Sequence, residues 1–133
     1  MRSILLDTNA YAKYRRGDAE VFSYIVDSDV IYLSTIVVGE LFAGFHGGTR
    51  FRDNKEELER FMKKSTVKLL PVGMETAEIF GEIKSDLKRI GLPIPINDVW
   101  VAAHAIETGS KLITYDEHFK KIPGLRLWEA IRR

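Results

Sequence analysis

The sequence predicts an α/β fold: a three-layer sandwich with a mainly parallel central sheet of about four to five strands and helices on both faces. Three observations carry this. Short apolar runs such as ILL at 4–6 and VIYLS at 30–34 have strand length, and their continuous apolarity suits strands covered on both faces. Longer stretches with apolar residues at three- and four-residue spacing separate them, so the connections are crossovers and neighbouring strands run parallel. With 133 residues, 45% of them hydrophobic, the chain can bury one core but is too short for two ordinary domains, and a single domain over 1–133 is expected.

Each element has a local reason. After the strand at 4–6, residues 10–16 read as a helix that stops at Gly17, and 19–26 as a second helix. The strand VIYLS leads into TIVVGELFAGF, a helix capped by Thr35 and ended by the glycines around His46. HGGTRFRD at 46–53 is the most loop-like stretch. An amphipathic helix at 54–64 turns Leu58, Phe61 and Met62 inward, and the strand TVKLLPV follows at 66–72. From 75 to 90 a longer helix carries Ala77, Phe80, Ile83 and Leu87 at helical spacing. GLPIPIND ends it, because Pro93 and Pro95 cannot continue a helix. The helix DVWVAAHAIET at 98–108, the strand KLITY at 111–115 and a last short strand at 125–128 complete the order.

Composition excludes several function classes. Lys and Arg total 20 against 19 Asp and Glu, so a net charge of +1 gives no global pull toward nucleic acid or membrane, and an anionic partner must be held locally. The absence of cysteine rules out disulfides, thiolate zinc sites and cysteine nucleophiles, and accords with a cytoplasmic location. No apolar run approaches the ~18 residues of a membrane span, so no membrane role is expected. P-loop, GxSxG and HExxH patterns are missing.

The chemistry lies in the acids. Asp7, Thr8 and Asn9 follow the first strand directly, and they have two readings: caps for the helix behind them, or a site at the carboxyl end of a central strand, where open α/β sheets place ligands. Glu40 stands on the shoulder of the apolar stripe formed by Val37, Leu41 and Phe45, a costly place for an unpaired carboxylate. Asp98 opens its helix after the proline break and Asp116 follows the strand KLITY; capping and turn chemistry would explain each alone. Together they say more. Parallel strands put their carboxyl ends on one edge, and the helices that follow start there, so four acids from four segments can converge on one crevice. Such a cluster would repel itself unless neutralised, and a hard-oxygen donor set suits Mg²⁺ or Mn²⁺.

The stretches LLDTNAY (5–11), STIVVGEL (34–41), INDVWVAAHA (96–105), LITYDEHF (112–119) and PGLRLW (123–128) give the chain a resemblance to the PIN-domain ribonucleases, and within them to the VapC-type toxins of toxin–antitoxin pairs. The likeness spans essentially the whole chain. It implies a metal-dependent endoribonuclease in which Asp7, Glu40, Asp98 and Asp116 form the catalytic metal site for Mg²⁺ or Mn²⁺, with Thr8, Asn9 and Thr114 orienting them or touching substrate. It further implies an RNA substrate, a cognate antitoxin protein and a homodimer. Tyr115, where relatives often carry Asn, and Asn97 before the third acid depart from the pattern.

Basic residues should line the rim of a negative pocket that takes RNA, and Lys13, Arg15, Arg16, Arg50 and Arg52 are candidates. Tyr11, Tyr14, Phe42, Phe45, Phe51 and Trp100 could supply interface surface or core. Two rival functions stand beside the nuclease: a catalytically idle PIN fold that binds RNA or protein, and an aspartate-dependent phosphatase. The phosphatase motif D-x-D-x-T is broken by Asn9. His46, His104 and His118 are scattered, and His118 reads as a loop residue rather than a ligand.

Overall fold

The computed structural model describes residues 1–132. The strands are β1 (Ser3–Leu6), β2 (Val30–Ser34), β3 (Val67–Leu70) and β4 (Lys111–Ile113); the helices are α1 (Thr8–Arg15), α2 (Ala19–Asp27), α3 (Thr35–His46), α4 (Phe51–Met62), α5 (Met74–Ile90), α6 (Ile96–Thr108) and α7 (Glu129–Arg132), with a 3₁₀ turn at Glu117–Lys121. Among the described residues the sheet has four strands in the order β3-β2-β1-β4, all parallel, with β1 inside it. This is the three-layer α/β arrangement expected. The strand predicted at 125–128 contributes only a parallel bridge between Leu127 and Leu112, since two backbone bonds, Leu112 N–H to Arg126 O and Trp128 N–H to Leu112 O, are all that the segment makes with β4 before the chain turns into α7.

The strand interiors behave as their apolar runs require: Leu5, Leu6, Leu33, Leu112 and Ile113 are fully buried. Helix α6 packs deepest, with Val99, Val101, Ala102, Ala103 and Ala105 all buried; its small residues let its backbone approach the sheet and α5 closely. Phe80 of α5 stacks on Trp100 of α6 at a ring separation of 3.8 Å. Tyr11 belongs to this core, while Tyr14, Phe42 and Phe45 pack half-buried against it. Helices α5 and α6 each end on a left-handed glycine, Gly91 (φ 69°) and Gly109 (φ 68°), a conformation other residues adopt at a cost.

Several boundaries differ from expectation for identifiable reasons. Helix α4 starts at Phe51 rather than at 54, so the loop is confined to the residues around Gly47 and Gly48; Arg50 occupies the cap position without a side-chain bond, and no capping residue advertises the start. Ser34, not Thr35, caps α3, its hydroxyl accepting from the Ile36 N–H at 3.0 Å. Strand β3 stops at Leu70 because Pro71 has no N–H to donate. Helix α6 begins at Ile96 with Pro95 at its cap, which leaves Asp98 inside the first turn with its side chain available for other work.

Candidate active site

Strands β1 and β4 lie side by side in parallel register, Leu6 opposite Ile113, so the residues that follow them meet at one edge. The Asp7 N–H bonds to Ile113 O at 3.2 Å, extending the ladder by one step. Asp7 is only 6% exposed. It caps α1, as the conservative reading of ILLDTNA holds, with Oδ1 accepting from the Ala10 N–H at 2.7 Å. Its other oxygen, Oδ2, accepts from the Thr114 hydroxyl, and that hydroxyl in turn accepts from the Asp116 N–H at 3.0 Å. The buried Thr114 thereby ties the first acid to the last. Trp128 holds it from behind by donating its indole N–H to the Thr114 carbonyl.

Glu40, half-buried on α3, is bound by both neighbouring segments. The Thr8 hydroxyl donates to its Oε1 at 2.6 Å and the Asn97 amide to its Oε2 at 3.3 Å. Thr8 follows Asp7 and Asn97 precedes Asp98, so these two bonds draw α3 toward both acids. Asn9, one residue beyond Thr8, is exposed on α1; the amide that reaches the acids is that of Asn97.

Asp98 and Asp116 are bridged by a residue that sequence reasoning left in a loop. His118, on the 3₁₀ turn, places Nε2 2.8 Å from Asp98 Oδ2 and Nδ1 2.8 Å from Asp116 Oδ1. Asp98, Asp116 and His118 each present one potential ligand atom, and these atoms lie within 4.8 Å of one another. The D-x-H spacing behind a strand was the available signal. Tyr115 turns the other way: its hydroxyl donates to Asp18 Oδ2 at 2.8 Å and its ring packs edge-on against Trp128.

The electrostatics match the geometry. Burial pushes the Asp7 carboxyl up from 3.8 to about 6, against the lowering effect of its bonds from Thr114 and the Ala10 N–H, and the negative charges of Asp98 and Asp116 raise it further. Asp98 is also shifted upward, chiefly by burial; His118 opposes the shift, while Asp116 and Glu40 add to it. Asp98 therefore feels Asp116 and Glu40, and Asp7 feels Asp98 and Asp116. Among the described residues, the ligand atoms close enough together to share a small divalent cation are those of Asp98, Asp116 and His118, and the buried Asp7 carboxylate, held this far above its ordinary range, lacks compensating positive charge.

A parallel sheet of this order with acids converging on its carboxyl edge defines a class. The PIN-domain family profile matches residues 4–125, and the chain belongs to the PIN-domain family. Its relatives there include VapC ribonucleases. Ribonuclease VapC2 of Rickettsia felis is 30% identical over 128 residues, covering 92% of this chain and 94% of the relative. Ribonuclease VapC1 of Haemophilus influenzae strain R2866 is 29% identical over 130 residues, covering 94% and 95%. Among solved structures, VapBC2 from Rickettsia felis bound to a promoter DNA fragment matches with a TM-score of 0.82 at 28% identity over 95% of this chain and 97% of that one. DNA-bound VapBC from Salmonella typhimurium gives 0.83 at 25% identity, over 96% and 98%.

Proposed function

We propose that the chain is a metal-dependent endoribonuclease that hydrolyses RNA phosphodiester bonds, and that it is the toxin of a toxin–antitoxin pair acting in the cytoplasm. What supports this reading is that Asp7, Glu40, Asp98 and Asp116 come from four separate elements, with Asp98 and Asp116 acting electrostatically on Asp7, and Asp116 and Glu40 on Asp98. Several relatives are named ribonucleases, and the structural matches include VapBC and other toxin–antitoxin complexes, which supports a cognate antitoxin as the partner.

In this reading Asp7, Asp98 and Asp116 hold Mg²⁺ or Mn²⁺, and Glu40 completes the acidic site. A divalent ion bound there supplies a water of lowered pKa and neutralises charge at the phosphate. The chain's own residues do the positioning. Thr114 fixes the rotamer of Asp7, while Thr8 and Asn97 aim the Glu40 carboxylate, which orients the attacking water and accepts its proton. On the neighbouring surface Arg15, Arg16 and Arg50 line a cleft with Tyr11, Leu41 and Phe45. None of the four acids lines it; along the chain it comes nearest to them at Tyr11, one turn beyond Thr8 on α1, and at Leu41, beside Glu40 on α3, and its cations are of the kind an RNA backbone needs.

The phosphatase alternative lacks support, because Asn9 stands where the second aspartate is required and is exposed. The idle-module alternative predicts binding without cleavage. Purified protein incubated with loop-containing RNA and Mg²⁺ or Mn²⁺ should cut it, and EDTA should stop the reaction. RNA binding without cleavage, or cleavage that survives EDTA, would refute the proposal.

A further inference from the structure

The geometry points to His118 as a nitrogen ligand of the metal site, placed beside Asp98 and oriented by Asp116, so that the site prefers Mn²⁺ and the later transition metals to Mg²⁺. This rests on the metal-dependent reading above and goes beyond it by adding a donor that is not a carboxylate.

His118 is positioned as a ligand would be. The turn that carries it is anchored by Phe119, which is 1% exposed, and is capped by Asp116, whose side chain accepts from the His118 N–H at 3.4 Å. The ring packs against Phe119 at a centroid separation of 5.0 Å. A metal-bound histidine almost always gives its other ring N–H to a carboxylate, which sets the tautomer and aims the free nitrogen. Asp116 Oδ1, 2.8 Å from Nδ1, is the carboxylate on that side of the ring. Nε2 lies 2.8 Å from Asp98 Oδ2, within hydrogen-bonding reach of it. Adjacent ligands about 2.1 Å from one octahedral ion are about 3 Å apart, so the pair already has the spacing of neighbouring ligands. An imidazole donor favours the later first-row metals, whereas Mg²⁺ prefers an all-oxygen shell.

The competing explanation is that His118 is a resident counter-ion, both ring nitrogens donating to the acids in place of a metal. The two accounts predict opposite effects of removing it: loss of a ligand weakens metal binding, and loss of a competitor strengthens it. The other histidines lie elsewhere, since His104 is buried with Nε2 against Pro71 O and His46 stacks on Phe51.

The test is Mn²⁺ binding by the full chain, followed by electron paramagnetic resonance. Pulsed spectra of the wild-type complex should show a ¹⁴N coupling that ¹⁵N-histidine labelling replaces, and His118→Gln should abolish it. The same variant, its folding checked by thermal melting, should bind Mn²⁺ about tenfold more weakly or worse, with a smaller change for Mg²⁺. Bound Mn²⁺ without nitrogen coupling, or equal or tighter binding by His118→Gln, would overturn the assignment and leave the nuclease reading intact. Failure of the wild-type chain to bind Mn²⁺ or Mg²⁺ at all would overturn both.

Discussion

The two ends of the β1–β4 strand pair carry buried and half-buried polar groups of opposite character. At the amino end Ser3, Thr108 and Ser110 form a neutral chain: Ser110 donates to Ser3 at 3.0 Å, and Thr108 lies 2.8 Å from Ser110 and 2.9 Å from the His104 carbonyl. Every member is satisfied by another, so burial costs little and the cluster stiffens the fold. At the carboxyl end, only a strand's length away, Asp7 is buried with two good hydrogen bonds and is still shifted strongly upward by burial and like charge. Both ends are hydrogen-bonded, yet charge is balanced at only one. A polar cluster that its own hydrogen bonds leave electrostatically unsatisfied is organised for a ligand the chain does not supply.

The largest effect that can break this comparison is on activity. Asp98→Asn keeps side-chain shape while removing a charge, and cleavage should fall at least about 100-fold, the consequence of losing a few kcal/mol of transition-state stabilisation. Melting temperature should be unchanged or higher. Single-turnover cleavage and thermal melting of the same preparation check both halves, and near-normal cleavage would return Asp98 to a purely structural role.

Next comes the pH dependence of stability. The folded-state Asp7 carboxyl titrates near 6 against 3.8 ordinarily, so the folded protein holds a proton that the unfolded chain releases. The associated stability is present in full below about pH 4 and is lost as pH rises through about 6, a change on the order of 3 kcal/mol for metal-free protein. Asp7→Asn should flatten that slope. Urea melts from pH 4 to 7 in the presence of EDTA measure it, and an unchanged slope in the variant would contradict the assignment to Asp7.

The amino end sharpens the comparison from the other side. Ser110→Ala leaves Ser3 and Thr108 without their buried partner and should cost about 1–2 kcal/mol while cleavage stays at the wild-type rate. The smallest effect is expected for Tyr115→Phe, which deletes one bond to the exposed end of α2 and should cost about 1 kcal/mol or less, with activity unchanged.

The layer order was legible in the sequence because a parallel sheet covered on both faces must be written in continuous apolar runs, and ILL at 4–6, VIYL at 30–33 and LI at 112–113 are such runs. The expectation that the four acids converge came from the same reasoning, since each follows a strand or lies in a helix taken to start on the strands' carboxyl edge. What sequence could not supply was side-chain direction. Asn9 and Asn97 are equally suited by type to hold Glu40, and only the phase of α1 and α6 decides for Asn97. His118 looked like loop because its partners are 20 residues away at Asp98 and two residues away at Asp116, and the first of these distances is tertiary. The early start of α4 was hidden because Arg50 caps it without a side-chain bond.

The most direct measurement of the central claim is the shift in melting temperature produced by Mn²⁺. Wild-type protein and Ser110→Ala should both gain stability on addition of the ion, by equal increments, because the amino-end cluster takes no part in binding it. Asp7→Asn and Asp98→Asn should start as stable as wild type or more so and gain little or nothing. A full Mn²⁺ increment in both aspartate variants would contradict the account, and Asp7, Thr8 and Asn9 would then be no more than a well-capped turn.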